Sequence, residues 1–176
     1  MKISQEFSNQ VVLPDQLESV EVQEFEGLEP KYKLVTQINT AILLLLALIG
    51  VFLIAYFSLN TPPITVLIAI PSVFVVLLVW RLVIVHLAFP KKGYLLREHD
   101  VSYRSGLLIY KLTSIPFNRI QHVEVSQNIV EKSVGLSSVK VFTAGGSLSD
   151  LSIPGLLPDK AHQIESFLLS KVGKYE

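Results

Sequence analysis

The sequence predicts two membrane-spanning helices joined as a hairpin, followed by a small, mainly β domain closed by one C-terminal helix. Three observations carry this. From Leu34 to Trp80 the chain holds no Asp, Glu, Lys or Arg. After Gly93, apolar and polar residues alternate in short stretches punctuated by Gly and Pro. From Pro158 onward the apolar spacing becomes helical. Composition agrees with the first point. The 176 residues are 50% hydrophobic and 17% charged, whereas an ordinary soluble domain is about 25% charged.

Charge divides the chain into three regions. Residues 1–30 form an acidic tail with seven acids against one base. In residues 31–90, the hairpin region, only Lys31, Lys33 and Arg81 are charged. Residues 91–176 hold eleven bases and eight acids and form the folded domain. The net charge is zero, which excludes the basic balance of a nucleic-acid binder, so no nucleic-acid partner is expected. With no cysteine there is no disulfide framework, Cys-type zinc site or thiol nucleophile. The tail is either disordered or adds to the sheet of its own or a neighbouring domain. Val20 to Phe25 partly alternates, and the tail's negative charge suits docking on the positive domain.

Asn60-Thr61-Pro62-Pro63 splits the uncharged run, because paired prolines cannot continue a helix. The first span is placed at about 38–59; its 22 uncharged residues rise about 33 Å, enough for a hydrocarbon core of about 30 Å. The second is placed at about 63–83 and can run on to 89, with Pro71 as a kink. A pair of buried helices in a soluble core is disfavoured, since such helices seldom stay uncharged over this length. A cleaved signal peptide is not expected, because 37 mostly polar residues precede the first span. Lys31 and Lys33 before the first span, and Trp80, Arg81, Lys91 and Lys92 at the end of the second, are read as interface anchors. The connecting turn has no charge, so the positive-inside rule predicts a multi-pass protein of the cytoplasmic (inner) membrane with both termini cytoplasmic. The spans hold no acid, no paired broken segments and no small-xxx-small glycine pair, which points to an anchor in the lipid bilayer rather than a transport path.

In the domain, Tyr94-Leu95-Leu96 reads as a strand, followed by a polar turn over Arg97 to Asp100. Val101 and Tyr103 alternate with Ser102 and Arg104 up to Gly106, a hairpin position. Leu108, Tyr110 and Leu112 are then set against Leu107, Ile109 and Lys111 as a further strand until Pro116. Gln121 to Val125, Val139 to Val141 and Leu151 to Ile153 are the remaining strands, the last ending before Pro154-Gly155. This spacing predicts an antiparallel sheet folded on itself. Pro158 and Asp159 open the final helix. Ala161, Ile164, Phe167, Leu168 and Val172 share one side; Lys160, His162, Glu165 and Lys171 lie on the other. The helix is expected to plug the sheet's open end. A membrane-surface role is disfavoured because its polar face is not rich in Lys and Arg.

The stretch from Gly93 to Leu169 resembles the bacterial pleckstrin-homology (PH)-like domain of small YdbS-like membrane proteins. The resemblance rests on residues 94–100, 102–107 and 115–123, Gly135-Leu136, Thr143 to Gly146 and Ile153 to Leu156. It extends over the hairpin, with Leu28 to Tyr32 as lead-in, while the tail 1–27 lies outside it. It implies a two-span anchor with a cytoplasmic bent antiparallel sheet capped by a C-terminal helix, no enzyme, and sibling proteins that suggest an assembly. Gly106, Pro116, Arg119, Gln121, His122, Gly135, Gly145, Gly146, Pro154 and Gly155 are its motif residues, expected to be structural.

Other motifs are weighed against ordinary roles. Gly145-Gly146 with Thr143 and Ser147 has the glycines to cradle a phosphate, but lacks the Walker lysine and reads better as a hairpin turn. His122 and Glu124 share a strand face without a third metal ligand, so His122 is expected to hydrogen-bond Arg119. No Gly-x-Ser-x-Gly elbow exists. No catalytic residue, metal or cofactor is therefore expected. Arg97, Arg104, Lys111, Arg119, Lys132 and Lys140 are the candidate contacts to anionic lipid or to a partner; the competing account is a solvated face interleaved with Glu98, Asp100, Glu124 and Glu131. The leading functional expectation is a non-catalytic module assembling with itself or with a sibling PH-like membrane protein. The alternative is sensing of anionic lipid at the inner leaflet.

Overall fold

The computed structural model describes residues 23–59, 63–144 and 150–172. Helix α1 runs Tyr32–Leu59 and α2 runs Ile64–Ala88, packed on each other as the expected antiparallel pair. Of the linking residues, only Pro63 is described; it is extended and its carbonyl accepts the amides of Val66 and Leu67. Pro71 sits inside α2, where it removes one backbone donor. Helix α1 starts earlier than the expected position 38 because the lead-in already forms a turn, the Tyr32 amide donating to the Glu29 carbonyl at 2.9 Å. Lys31 and Lys33 mark a change of solvent, and lysine is a good helix former. The 28 residues of α1 rise about 42 Å, longer than a hydrocarbon core of about 30 Å.

Among the described residues, one strand before α1 and six after α2 form two antiparallel sheets, the first ordered β1-β2-β3-β4 and the second β5-β6-β7. The first comprises β1 Glu26–Gly27, β2 Gly93–Leu96, β3 Asp100–Ser105 and β4 Lys111–Pro116. The second comprises β5 Ile120–Ser126, β6 Ser137–Thr143 and β7 Leu151–Leu156. A 3-10 turn, Phe117–Arg119, joins β4 to β5, and a five-residue helix α3, Ile129–Ser133, joins β5 to β6. The final helix α4, Pro158–Val172, lies against β5, β6 and that 3-10 turn, burying Ala161, Ile164 and Leu168 as the spacing predicts. These side chains meet Val101, Ile115, Phe117, Val139, Val141 and Ile153 in one apolar core. Phe167 packs edge-on to Phe117, ring centroids 5.9 Å apart.

Part of the tail is an element of this fold. Residues 26–27 pair with β2, Lys160 of α4 reaches Glu26 at 3.1 Å, and the Phe25 ring lies under the Arg104 guanidinium at 4.3 Å. The rest of the tail, residues 1–22, lies outside the described residues.

Ser102 is buried, its hydroxyl 2.7 Å from that of Ser114, directly across the β3–β4 ladder. Three local expectations are corrected. Leu107 to Tyr110 is a loop; the strand begins only at Lys111, and Gly106 opens the turn at φ +112°. Four consecutive apolar residues do not alternate, so they cannot give a half-buried strand one wet and one dry face. Strand β7 runs through Pro154-Gly155 instead of ending before them, as proline can in an edge strand. Glu131, assigned to a solvated face, is buried in α3.

Burial pushes the phenols of Tyr94 and Tyr103 well above their ordinary value, Glu26 and Glu29 adding to the effect at Tyr94 and Tyr32 at Tyr103. A raised phenol contributes stability in full below its unfolded pKa of about 10, and that contribution is lost as pH rises through the higher folded value. In an absorbance titration these two tyrosines should therefore ionise above pH 10 and together with unfolding. A single step with every tyrosine ionising near pH 10 in the folded protein would contradict this.

Candidate functional site

The site is built where the helical hairpin meets the β domain. Two contacts seat the domain there. Gly155 of β7 lies against the Tyr32 ring, and its carbonyl accepts the Glu29 amide at 2.9 Å. The short helix α3 packs beside the start of α1. Across the hairpin, Lys33 stands over the Phe89 ring at 4.6 Å and Lys92 over the Tyr32 ring at 5.4 Å. Further along the helices, Arg81 Nε approaches Thr40 Oγ1 at 3.5 Å. Lys31, Trp80 and Lys91 are exposed.

Beside this stem, a cleft of about 270 Å³ is lined by Thr36 of α1, Arg81, Ile84, Val85 and Ala88 of α2, Phe89, Lys92, and the β3–β4 loop from Gly106 to Ile109. No acidic residue lines it. The Lys92 amine is held below its ordinary pKa, first by burial and then by the positive charge of Arg81. The loop that forms the other wall is apolar and open: Leu108 and Ile109 are 84% and 83% exposed.

The six candidate contact bases lie on several elements of both sheets and their connections. Arg97, in the β2–β3 turn, pairs with Asp100 through two hydrogen bonds, Nε to Oδ1 at 2.8 Å and Nη2 to Oδ2. Lys140 of β6 faces Glu124 of β5 at 3.8 Å. Arg104 of β3 is half-buried, and its Nε is buried with no hydrogen-bond partner among the described residues. Lys111 opens β4, Arg119 ends a 3-10 turn and Lys132 lies on α3; all three are exposed. None of the six lines the cleft at the stem.

Among the motif residues, Pro116 closes β4 and Gln121 and His122 are exposed on β5. His122 lies against the Phe142 ring, centroids 5.5 Å apart, and no hydrogen bond joins it to Arg119. The bulge between Ile120 and His122 re-aims the ring along the strand surface. Gly135 follows α3 with φ +70°. Gly145 and Gly146 lie outside the described residues. Among the described residues no group of three or more His, Cys, Asp or Glu is placed to hold a metal. Sequence reasoning identified Arg81 and Lys92 as anchors but missed Thr36, Leu108 and Ile109 beside them. The available signal was the unbroken apolar run directly after Gly106, which belongs at the tip of a hairpin loop.

Residues 34–172 match the family model described as Bacterial PH domain. Over 71 residues the chain is 32% identical to the UPF0699 transmembrane protein YdbS of Bacillus subtilis (strain 168), a stretch that is 40% of this chain and 43% of that relative. The matched stretch thus spans less than half of the relative's length. No solved structure matches the chain. Two apolar helices long enough to cross a bilayer, two antiparallel sheets closed by a C-terminal helix, and a family match running through both show that this chain is a membrane protein belonging to the bacterial PH domain family.

Proposed function

We propose that this is a non-catalytic, membrane-anchored module, both termini in the cytoplasm, whose PH domain assembles with a second copy or with a sibling PH-like membrane protein. The observation that supports it is the outer edge of β5. This seven-residue strand pairs only with β6 among the described residues, leaving a row of backbone donors and acceptors on its other side. Of the other edge strands, β4 starts with Lys111 and ends with Pro116 and β7 carries Pro154, residues that discourage pairing, while β1 is only two residues long. The β5 sequence, Ile-Gln-His-Val-Glu-Val-Ser, has neither lysine nor proline, so it suits strand addition by a partner. The domain's seat on the stem holds that edge at a defined orientation to the bilayer.

The full chain, extracted gently from native membranes, should run as a stoichiometric complex in a mass measurement. Gln121→Lys together with His122→Lys should shift it at least tenfold toward monomer at equal concentration. A monomer with no co-purifying protein would sink the assembly reading.

A second reading, recognition of anionic lipid at the inner leaflet, is favoured by a different observation. The exposed apolar β3–β4 loop stands beside the cationic end of the hairpin, where a membrane surface offers both an apolar and an anionic neighbour.

A further inference from the structure

We propose that the cleft between the helical stem and the β3–β4 loop binds the phosphate of one anionic phospholipid between Arg81 and Lys92, while Leu108 and Ile109 sit among the adjacent acyl chains. This rests on the lipid reading above and moves it from the six bases of the β domain to a defined site. Depth supports the placement. Counted from Pro63, Arg81 is about 27 Å along α2, close to the edge of a hydrocarbon core of about 30 Å. The end of α2 from Ile84 to Ala88, Phe89 after it, and the loop facing them then occupy the headgroup layer, with Lys92 at its outer side.

Charge supplies the second support. Between Glu29 and Glu98 the chain contains no acid, so neither stem nor cleft wall offers Arg81 or Lys92 a carboxylate. Lys92 and Arg81 line one cleft, and the Lys92 amine is depressed first by burial and then by the positive charge of Arg81. An anion between them offsets both effects, and at this depth the available anion is a lipid phosphate. Apart from Thr36, whose hydroxyl donates to the Tyr32 carbonyl at 3.1 Å, the helical wall of Ile84, Val85, Ala88 and Phe89 is apolar, which suits the glycerol and first methylenes of a lipid and gives a soluble anion little to hold. The loop completes the fit: side chains more than four-fifths exposed to water in the isolated chain find apolar surroundings if the loop dips below the headgroups.

The test uses the full chain in mixed phosphatidylglycerol–phosphatidylcholine nanodiscs, with retained lipid counted by native mass spectrometry after release. One phosphatidylglycerol should stay with each chain at least tenfold in preference to phosphatidylcholine, and excess inorganic phosphate should not displace it. Arg81→Gln with Lys92→Gln should abolish the preference. Arg81→Lys, which keeps the charge, and Lys132→Gln, which is remote from the cleft, should retain it. A fluorophore on Leu108→Cys should be quenched by brominated acyl chains. Displacement by inorganic phosphate, or no quenching, would overturn the site as drawn. If the preference survives Arg81→Gln with Lys92→Gln but is lost in Arg104→Gln with Lys111→Gln, this site falls and lipid recognition stands elsewhere on the domain. No preference in the unaltered protein would sink both.

Discussion

Replacing Gly155 by alanine should cost the folded protein about 2–5 kcal/mol, the sum of two separable penalties. Gly155 sits at φ +67° in β7, a left-handed conformation that costs an L-residue about 1–2 kcal/mol. A Cβ there would also fall 2.5 Å from Tyr32 Cγ and 2.6 Å from Tyr32 Cβ, inside any real contact distance, and such overpacking typically costs about 1–3 kcal/mol. Tyr32 is the first residue of α1 and cannot swing away without moving the helix. The substitution should therefore loosen the seat between the β domain and the membrane stem. Denaturant unfolding of the full chain in detergent gives the cost, and hydrogen exchange at the Glu29 amide, which donates to the Gly155 carbonyl, shows where it falls. A double-mutant cycle divides the penalties. With Tyr32→Gly already present both clashing atoms, Cβ and Cγ, are gone, so Gly155→Ala should cost only the backbone share of about 1–2 kcal/mol. A Gly155→Ala protein within about 0.5 kcal/mol of the parent would refute the seat.

The second large effect is expected at Glu131. Its carboxylate is buried, with Oε1 accepting the Ser138 hydroxyl at 2.6 Å and Oε2 accepting the Asn128 amide at 3.0 Å. In return Asn128 Oδ1 accepts the Glu131 amide at 2.8 Å, completing a reciprocal cap at the start of α3. Glu131→Ala removes both side-chain acceptors, strands the buried Ser138 hydroxyl and gives up the bond from the Asn128 amide. Loss of the cap and of satisfied donors together should cost about 2–4 kcal/mol. Glu131→Gln keeps one amide oxygen as acceptor and should cost less than half as much. Equal stability of both variants and the parent, measured by unfolding midpoints, would show that the network contributes nothing. The connection matters beyond α3, because the Leu136 amide, at the entry to β6, donates to the Glu131 carbonyl at 2.9 Å.

These two positions also show where sequence reasoning stops. The Asn-x-x-Glu pattern of Asn128 and Glu131 is a written capping signal, yet it opens a helix of only five residues, too short for hydrophobic periodicity to announce. By sequence alone Glu131 therefore falls among the surface acids. Gly155 reads as a strand terminator beside proline, and nothing local says that an aromatic ring from a residue more than a hundred positions earlier lies against it. Alternation sets Ser102 on the strand face opposite Val101 and Tyr103, and a second serine across the ladder satisfies its hydroxyl so that it is buried there. Leu107 to Tyr110 reads as strand because apolar residues in a β-rich region usually are core, yet these four form an exposed or half-buried loop.

The sequence by itself determined the two long helices, the β domain that follows, and the buried face of α4. The reason is that each is set by composition or spacing within one segment. The preference of an uncharged helix for lipid is a sum over its own residues, and a helical stripe is periodic along its own chain. Only the tertiary structure decided that Tyr32 backs onto Gly155, that residues 26–27 join the first sheet, and that Arg81 and Lys92 share a cleft with an apolar loop. Those juxtapositions join residues far apart in the chain, and packing of the domain on the stem, not local preference, brings them together.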